Sequence, residues 1–297
     1  MKKRKGRHAR RCLCVLTLVA MLVALGGSSA AASAWPRADY PSRVHTRYER
    51  IPTTVSAYGR QIDDCFLIAE TTYAPLRSLC ESVCSAGVWF DAKTRTAYVE
   101  SDGLFVSAQD GAYYIVANGR YLYVDTPVMI LDDGRTYVPI RALAQALGLR
   151  VTWNAATRSV SLDGYVEPIL SGEEFYDADE VYWLSRIISA ESQGEPLLGQ
   201  IAVGNVVLNR VRSAEFPNTI YGVIFDRKDG VQFTPVANGT VYAKPYYLSV
   251  IAAKLCLEGV TVSDRVLYFL EPSKSTSLWV IYHRPFAFVI GVHHFYR

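Results

Sequence analysis

Two glutamates with the potential for acid–base chemistry, Glu191 and Glu195, lie four residues apart in the segment ISAESQGEPLLGQIAVGNVVLNRV, residues 188–211. A carboxyl group can donate a proton to the leaving oxygen of a glycosidic bond and later take a proton back. It can do so only if part of it stays protonated near neutral pH, and an ordinary glutamate is only about 0.2% protonated at pH 7. The surroundings of each carboxylate therefore decide its use.

Glu191 falls on the apolar face of a predicted helix. Asp177 or Asp179 can cap the start of this helix, and acidic residues in its first turn suit the helix dipole. Its apolar positions at helical spacing are Val181, Leu184 and Ile188, and the next position on the same face is Glu191. Desolvation on such a face raises the pKa of a carboxyl group. The spacing predicts a proton donor, but it fits a buried structural glutamate paired with Arg186 or Arg210 equally well.

A second helix is predicted to follow after a tight break and to run to about Arg212. Gly194 ends the first helix, and Pro196 suits the first turn of the next. Glu195 then lies at the N-terminus of the second helix, where free N–H groups and the dipole stabilise a carboxylate. Gly204 belongs to the apolar stripe of this helix, and the small residues Ala202 and Gly204 allow close approach.

An internal repeat marks an earlier part of the chain. TYAPLRSLCESVCSAGVWFDAKTRTAYV (72–99) and TYVPIRALAQALGLRVTWNAATRSVSL (136–162) each predict a short amphipathic helix followed by a β-hairpin. The repeat resembles the copper amine oxidase-like N-terminal domain of secreted bacterial wall proteins, over roughly residues 50–165. The resemblance implies a stalk without copper chemistry, used for spacing or for wall attachment. Residues 163–175, DGYVEPILSGEEF, are predicted to be a linker.

The first 34 residues have the layout of a secretory signal, with a basic leader, a short apolar run and a cleavage site near Ala34. The leader carries seven of the 31 Lys and Arg residues and no acid, so its removal changes the formal net charge from +3 to −4. A mildly acidic protein has no electrostatic basis for binding nucleic acid. Four cysteines remain, and the sequence leaves their pairing open. They are Cys65, Cys80, Cys84 and Cys256.

The two predicted helices and the tail that follows them resemble the SleB/CwlJ cell-wall hydrolase family, which includes spore cortex-lytic enzymes. Within the segment 188–211, the positions that fit the family pattern are Glu191, Gly194, Glu195, Pro196, Gly199, Gln200, Ala202, Val203, Val206, Leu208, Asn209, Arg210 and Val211. The resemblance covers about residues 180–297. The tail reads Gly-Val-His-His-Phe where the family usually has Gly-Asn-His-x-Phe, so Val292 departs from the pattern and lacks an amide that could hold substrate or a loop.

This resemblance implies a lysozyme-like fold, no cofactor, and Glu191 as the catalytic carboxylate acting on the glycan strands of peptidoglycan. Some members of the family are lytic transglycosylases, in which one acid/base glutamate suffices because the 6-hydroxyl of muramic acid attacks the anomeric carbon. No second carboxylate stands out as a nucleophile in the sequence. The overall expectation is an α+β protein, with a lysozyme-like catalytic domain at 176–297 after a small α/β stalk at 50–165.

Four further residues are candidates for substrate contacts. Gln232 precedes Phe233 in a predicted strand, and Asn209 lies near the end of the second helix, where a core contact is the alternative. Trp279 offers a flat apolar face for a sugar ring, although aromatic residues also build cores. His293 is the fourth, and because adjacent strand residues point to opposite faces, it is not expected to bind one metal ion together with His294.

Two other functions stay open at this point. One is an N-acetylmuramoyl-L-alanine amidase, which cuts a different bond of the same polymer; the common amidases need zinc, and the sequence has a poor set of zinc ligands. The other is a non-catalytic protein that binds the wall or helps to assemble the spore coat. The sequence also does not decide between the vegetative wall and the spore cortex as the target.

Overall fold

The computed structural model describes residues 49–228, 230–275 and 277–297, all of which belong to one compact unit. The predicted leader and its cleavage site at Ala34 lie outside the described residues. No helix in the described ranges is long and apolar enough to cross a membrane. Helices and strands both contribute throughout, so the predicted α+β class is confirmed.

The first half of the described chain is built mainly of short strands. Its elements are β1 (Ile51–Pro52), β2 (Thr54–Ala57), β3 (Arg60–Ile62), β4 (Phe66–Ile68), β5 (Thr71–Pro75), α1 (Leu76–Val83), β6 (Gly87–Asp91), β7 (Thr96–Ser101), β8 (Leu104–Gln109), β9 (Tyr114–Ala117), β10 (Arg120–Tyr123), β11 (Met129–Ile130), β12 (Thr136–Pro139), α2 (Ile140–Ala146), β13 (Arg150–Asn154) and β14 (Ser159–Asp163). The strands form three sheets, in the orders β1-β4-β5-β12-β11, β10-β9-β8-β7-β6 and β13-β14-β2-β3. A hydrophobic core lies among them.

The two copies of the repeat pair with each other in the middle of the first sheet. Strands β5 and β12 run antiparallel, with Ala74 opposite Val138. Each strand ends on a proline, Pro75 or Pro139, that is also the N-cap of the following helix. Proline lacks the N–H that a continuing ladder needs, so strand changes to helix at this residue. After each helix comes an antiparallel hairpin, β6–β7 in the first copy and β13–β14 in the second.

The segment predicted to be a linker is bonded to the first half of the chain. The backbone N–H groups of Glu167 and Ile169 donate to the carbonyls of Leu147 and Ala146, at 3.0 and 3.3 Å. The N–H of Gly172 donates to the carbonyl of Asn118 at 2.7 Å. Residues 163–175 thus connect the two halves of the chain, and their backbone is fixed to the end of helix α2 and to the turn between β9 and β10.

The second half of the chain is a helical core with one small sheet. Its elements are α3 (Gly172–Phe175), α4 (Ala178–Ser192), α5 (Leu197–Arg212), α6 (Ile220–Ile224), α7 (Thr234–Asn238), a 3-10 turn (Thr240–Tyr242), α8 (Tyr247–Leu257), β15 (Tyr268–Leu270), α9 (Trp279–His283), β16 (Phe286–Ile290) and β17 (His293–Tyr296). The sheet has the order β15-β17-β16, and both of its strand pairs are antiparallel. A second hydrophobic core includes residues of α4, α5 and α8.

Helices α4, α5 and α8 approach one another closely at Gly204. A Cβ atom added there would lie 2.7 Å from Cys256 Sγ and 2.9 Å from Ile188 Cδ1. The close approach predicted at this glycine is confirmed, and Cys256 is a buried thiol of the core. All four cysteines in the described chain are free thiols.

The two halves are joined by a buried ion pair between β10 and the end of α8. Arg120 donates through Nε and Nη2 to the two oxygens of Glu258, at 2.9 and 2.7 Å. The two side chains are only 11% and 5% exposed. Tyr176 donates its hydroxyl proton to the same carboxylate at 2.7 Å, and the Arg120 guanidinium lies 3.4 Å from the centre of the Phe175 ring. The first half is therefore held against helix α8.

Candidate functional site

The site is built around the break between helices α4 and α5. Asp177 caps α4 by accepting from the N–H groups of Asp179 and Glu180, at 2.8 and 3.0 Å. The helix ends at Ser192, so Glu191 lies in its last turn. Helix α5 runs to Arg212, as predicted, and Pro196 is its N-cap, one residue before the predicted position in the first turn.

The carboxylate of Glu191 is half-buried and has no hydrogen-bond or ion-pair partner among the residues that the structure describes. Burial raises its pKa from 4.5 to about 7. The alternative of an ion pair with Arg186 or Arg210 is wrong. Arg186 lies 3.5 Å from the Tyr182 ring centre, and Arg210 donates to the carbonyl of Leu267 at 2.8 Å. Glu191 is thus a carboxyl group protonated about half of the time near pH 7.

This burial predicts that stability falls as pH rises. Glu191 ionises near pH 4.5 in the unfolded chain and near pH 7 in the folded protein. Between these values the folded state holds the extra proton, so the free energy of unfolding decreases from about pH 4.5 to about pH 7. The full shift corresponds to roughly 3 kcal/mol. Glu191→Gln has no such proton. We therefore expect its free energy of unfolding, measured with urea and compared with that of the parent protein, to be about 3 kcal/mol higher at pH 8 than at pH 4.

The matched control for this measurement is Glu180→Gln, the same chemical change at an exposed position of the same helix. Its stability relative to the parent protein should vary little over the same pH range. A Glu191→Gln difference that is the same at pH 4 and at pH 8 would show that the Glu191 carboxyl group titrates like one in water.

Glu195 does not cap helix α5; its side chain instead contacts the turn between β16 and β17. Oε2 accepts from the backbone N–H of Val292 at 3.3 Å, and Oε1 lies 3.9 Å from Nδ1 of His293. Among the described residues, no side chain caps α5. The helix-end role predicted for Glu195 is therefore wrong, because its carboxylate bonds to a turn brought there by the tertiary fold.

Asn209 holds a loop of the protein and has no free donor for a sugar. Its Nδ2 atom donates to the carbonyls of Ser263 and Val266, both at 2.9 Å, and the residue is 4% exposed. One turn earlier, Asn205 donates to the carbonyl of Val260 at 2.9 Å and accepts from the N–H of Val262 at 2.7 Å. The substrate role predicted for Asn209 is not supported, and the alternative of a core contact describes it.

The sequence reasoning assigned no role to two residues of this framework, Asn205 and Gln200. Gln200 is fully buried; its Nε2 donates to the carbonyl of Glu195 at 2.9 Å, and its Oε1 accepts from Ser249 Oγ at 2.7 Å. It thereby fixes the helix break against α8. The available signal was the presence of amide side chains inside an otherwise apolar helix, since buried polar groups need partners.

Gln232 lies beside a buried arginine. Its Oε1 accepts from Nη1 of Arg210 at 3.3 Å, and the Arg210 guanidinium packs over the rings of Phe216, Phe233 and Tyr268. Burial lowers the pKa of Arg210 to about 10. The strand predicted to begin at Gln232 is wrong: Phe233 is the N-cap of helix α7, because Pro235 suits a first helical turn. Phe233 itself is a core residue.

The remaining two candidates differ in their access to solvent. His293 is buried, with the edge of its ring against Phe269 and its Nδ1 toward Glu195. Burial lowers its pKa, which favours the neutral ring. Trp279 is 49% exposed and stacks on His283, with ring centres 4.9 Å apart. In the described residues, no three His, Cys, Asp or Glu side chains form a group that could hold a metal ion.

A cavity away from this site lies in the first half of the chain. It has a volume of about 560 Å³, with Arg50, Asp63, Asp64, Asp133 and Arg135 on its walls. Arg135 bonds there to Asp64 and Asp133, at 2.7 and 2.8 Å. These charged groups largely satisfy one another, whereas the Glu191 carboxylate has no such partner.

Curated relatives match the second half of the chain. Residues of this chain are 40% identical over 120 residues to a spore cortex-lytic enzyme of Bacillus cereus, covering 40% of this chain and 45% of that protein. The corresponding enzyme of Oceanobacillus iheyensis is 35% identical over 128 residues, covering 43% and 45%. The chain thus spans less than half the length of these curated relatives.

Two solved structures are also similar in this region. One is the catalytic domain of a germination-specific lytic transglycosylase, SleB, from Bacillus anthracis. The sequence identity is 37%, the match covers 43% of this chain and 100% of that chain, and the TM-score is 0.38. The other is the catalytic domain of the Bacillus cereus SleB protein, with 39% identity, 41% and 92% covered, and a TM-score of 0.37.

Family comparisons match both halves of the chain. Residues 194–296 match the Cell Wall Hydrolase family, and residues 61–162 match the Copper amine oxidase N-terminal domain. Both resemblances drawn from the sequence are therefore confirmed: the second half of the chain carries a Cell Wall Hydrolase domain, and the first half carries a copper amine oxidase N-terminal domain.

Proposed function

We propose that this protein cleaves the glycan strands of peptidoglycan as a lytic transglycosylase, with Glu191 as the proton donor and then the base. The observation that carries the proposal is the half-buried Glu191 carboxyl group, which has no partner in the described part of the chain and a pKa of about 7. A group of this kind supplies a proton near neutral pH and can accept one afterwards. The enzymatic names of the similar proteins support the same reaction class.

The reaction needs only one carboxyl group. Glu191 gives its proton to the glycosidic oxygen while the bond from that oxygen to the anomeric carbon of muramic acid breaks. The resulting carboxylate then takes the proton of the muramic acid 6-hydroxyl as its oxygen attacks the anomeric carbon. The products are a strand with a new free hydroxyl and a 1,6-anhydro sugar, and Glu191 returns to its protonated state without consuming water.

The proposal extends to the rest of the chain. Residues 176–297 form the catalytic domain, and residues 50–165 form a stalk for wall attachment. The protein acts in the cell wall or the spore envelope after cleavage of its leader near Ala34. The exposed face of Trp279 suits stacking on a sugar ring. Substrate contacts of Gln232 and His293 stay predictions from the sequence.

Mass spectrometry of purified peptidoglycan digested by the full protein tests the reaction. Anhydro-muramic ends support a lytic transglycosylase, and new reducing ends without them replace that proposal by hydrolysis of the same bond. New free amines with intact glycan strands would instead identify an amidase. Binding to peptidoglycan without any product would make the protein a non-catalytic wall component. The Glu191→Gln variant, run in parallel, shows whether any product depends on this carboxyl group.

A further inference from the structure

The side chain of Glu195 lies in a closed site between the break that separates helices α4 and α5 and the β16–β17 turn. It is 9% exposed, and the side chain of His293 beside it is 8% exposed. A Cβ atom added at Gly199 would lie 3.1 Å from Glu195 Cβ and 3.2 Å from Ile290 Cγ2, so this glycine lets β16 and the glutamate approach helix α5. A carboxylate with so little access to water needs polar partners from the protein.

Those partners come from the turn. The Val292 N–H donates to Oε2 at 3.3 Å, and this turn amide lies 97 residues further along the chain. Nδ1 of His293, which lies 3.9 Å from Oε1, is buried and has no hydrogen-bond partner in the described part of the protein. Other charged groups that act on His293 are Glu271 and Lys274. Glu195 therefore accepts from one backbone amide of the turn and lies beside the buried ring nitrogen of His293.

The turn is also shaped to receive this carboxylate. Gly291 has φ +57, a conformation that favours glycine. A Cβ atom added at Gly291 would overlap Oε2 of Glu195. The glycine is thus required both by its backbone conformation and by the space that the Glu195 carboxylate occupies.

The backbone of Glu195 is fixed to the break itself. Its N–H donates to the carbonyl of Ser192 at 2.9 Å, and its carbonyl accepts from Gln200 Nε2 at 2.9 Å. One residue therefore bonds through its backbone to the end of the helix that carries Glu191 and through its side chain to the β16–β17 turn.

We propose that Glu195 is a positioning residue for the reaction at Glu191: its carboxylate holds the β16–β17 turn against the helix break and so fixes the surroundings of the proton donor. The inference rests on the proposed function of the site. Glu195 does not act as a second acid or base, because its carboxylate is enclosed and its polar neighbours are groups of the protein. Loss of this contact lets the turn move, and a displacement of about 1 Å in a site can cost about 100-fold in rate.

Two substitutions of Glu195 separate a positioning role from a catalytic one. Glu195→Ala removes the acceptor of the Val292 N–H, and we expect kcat to fall about 100-fold. Glu195→Gln keeps an oxygen that can accept the same bond, and we expect kcat within about tenfold of the parent protein. In both variants, the pH at which kcat falls should stay that of Glu191. Equal losses in Glu195→Gln and Glu195→Ala would overturn the inference, since an acid or base cannot be replaced by an amide.

Gly291→Ala provides a second, independent route to the same displacement. It leaves Glu195 in place but puts a methyl group where the carboxylate lies, so we expect a loss of kcat similar to that of Glu195→Ala. In the Glu195→Ala background the methyl group has room, and Gly291→Ala should lower kcat much less than it does alone. The backbone strain at φ +57 is common to both backgrounds and cancels in this comparison. If the loss of kcat in the double variant equalled the product of the losses in the two single variants, the proposed contact would be contradicted.

Hydrogen exchange of the Val292 amide tests the contact without reference to activity. Exchange should be slow in the parent protein and in Glu195→Gln, and much faster in Glu195→Ala. An unchanged rate in Glu195→Ala would overturn the inference. A parent protein that cuts no glycan but shows the expected exchange pattern would overturn the proposed reaction while retaining the contact.

Discussion

Glu191→Gln is expected to lower the rate of peptidoglycan cleavage by about 10³-fold, while leaving the protein folded. General acid–base catalysis by one positioned group contributes about 10²- to 10⁴-fold, and glutamine has the shape of glutamate without a proton to donate. The measurement is the initial rate of release of glycan fragments from purified peptidoglycan. In the parent protein, kcat should fall as pH rises above about 7, because the ionised carboxylate cannot act as the acid.

The control for this result is Glu180→Gln, which makes the same change at an exposed position in the first turn of helix α4. It should keep the rate of the parent protein. If Glu191→Gln retained a rate within tenfold of the parent protein, the proton donor would have to be another group, and the burial of Glu191 would be a structural feature only.

Arg120→Ala is expected to destabilise the protein by about 3–5 kcal/mol, because it leaves the carboxylate of Glu258 buried without its counter-charge. The remaining hydroxyl donor, Tyr176, cannot replace a guanidinium that bonds to both oxygens. Urea unfolding of the full chain measures the loss. A separation into two transitions would show in addition that the two halves of the chain have become uncoupled.

Two variants show whether the effect comes from the buried charge. Arg265→Ala removes an ion pair with Asp264 between side chains that are 72% and 79% exposed, and it should cost less than about 1 kcal/mol. Combining Arg120→Met with Glu258→Gln removes both charges and keeps an acceptor for Tyr176, so it should recover much of the loss of Arg120→Ala. If the combined variant were as unstable as Arg120→Ala, lost packing would explain the effect.

The features predicted correctly from the sequence depend on neighbouring residues. Asp177 as an N-cap, the break at Gly194 and the close approach at Gly204 follow from residue types with strong local preferences. The raised pKa of Glu191 follows from the same source, since helical spacing alone puts this carboxyl group on a face that must be buried. The strand predicted at Gln232 failed because Pro235, three residues later, starts a helix instead.

Sequence alone thus determined where helix α4 ends, that Glu191 stands on its buried side, and which families the two halves of the chain resemble. Only the tertiary structure decided the partners of the polar side chains. Glu195 meets a turn amide 97 residues away, and Arg120 meets Glu258 across 138 residues. Periodicity specifies which way a side chain points from its own helix or strand, but it carries no information about which distant backbone group or charge will be folded against it.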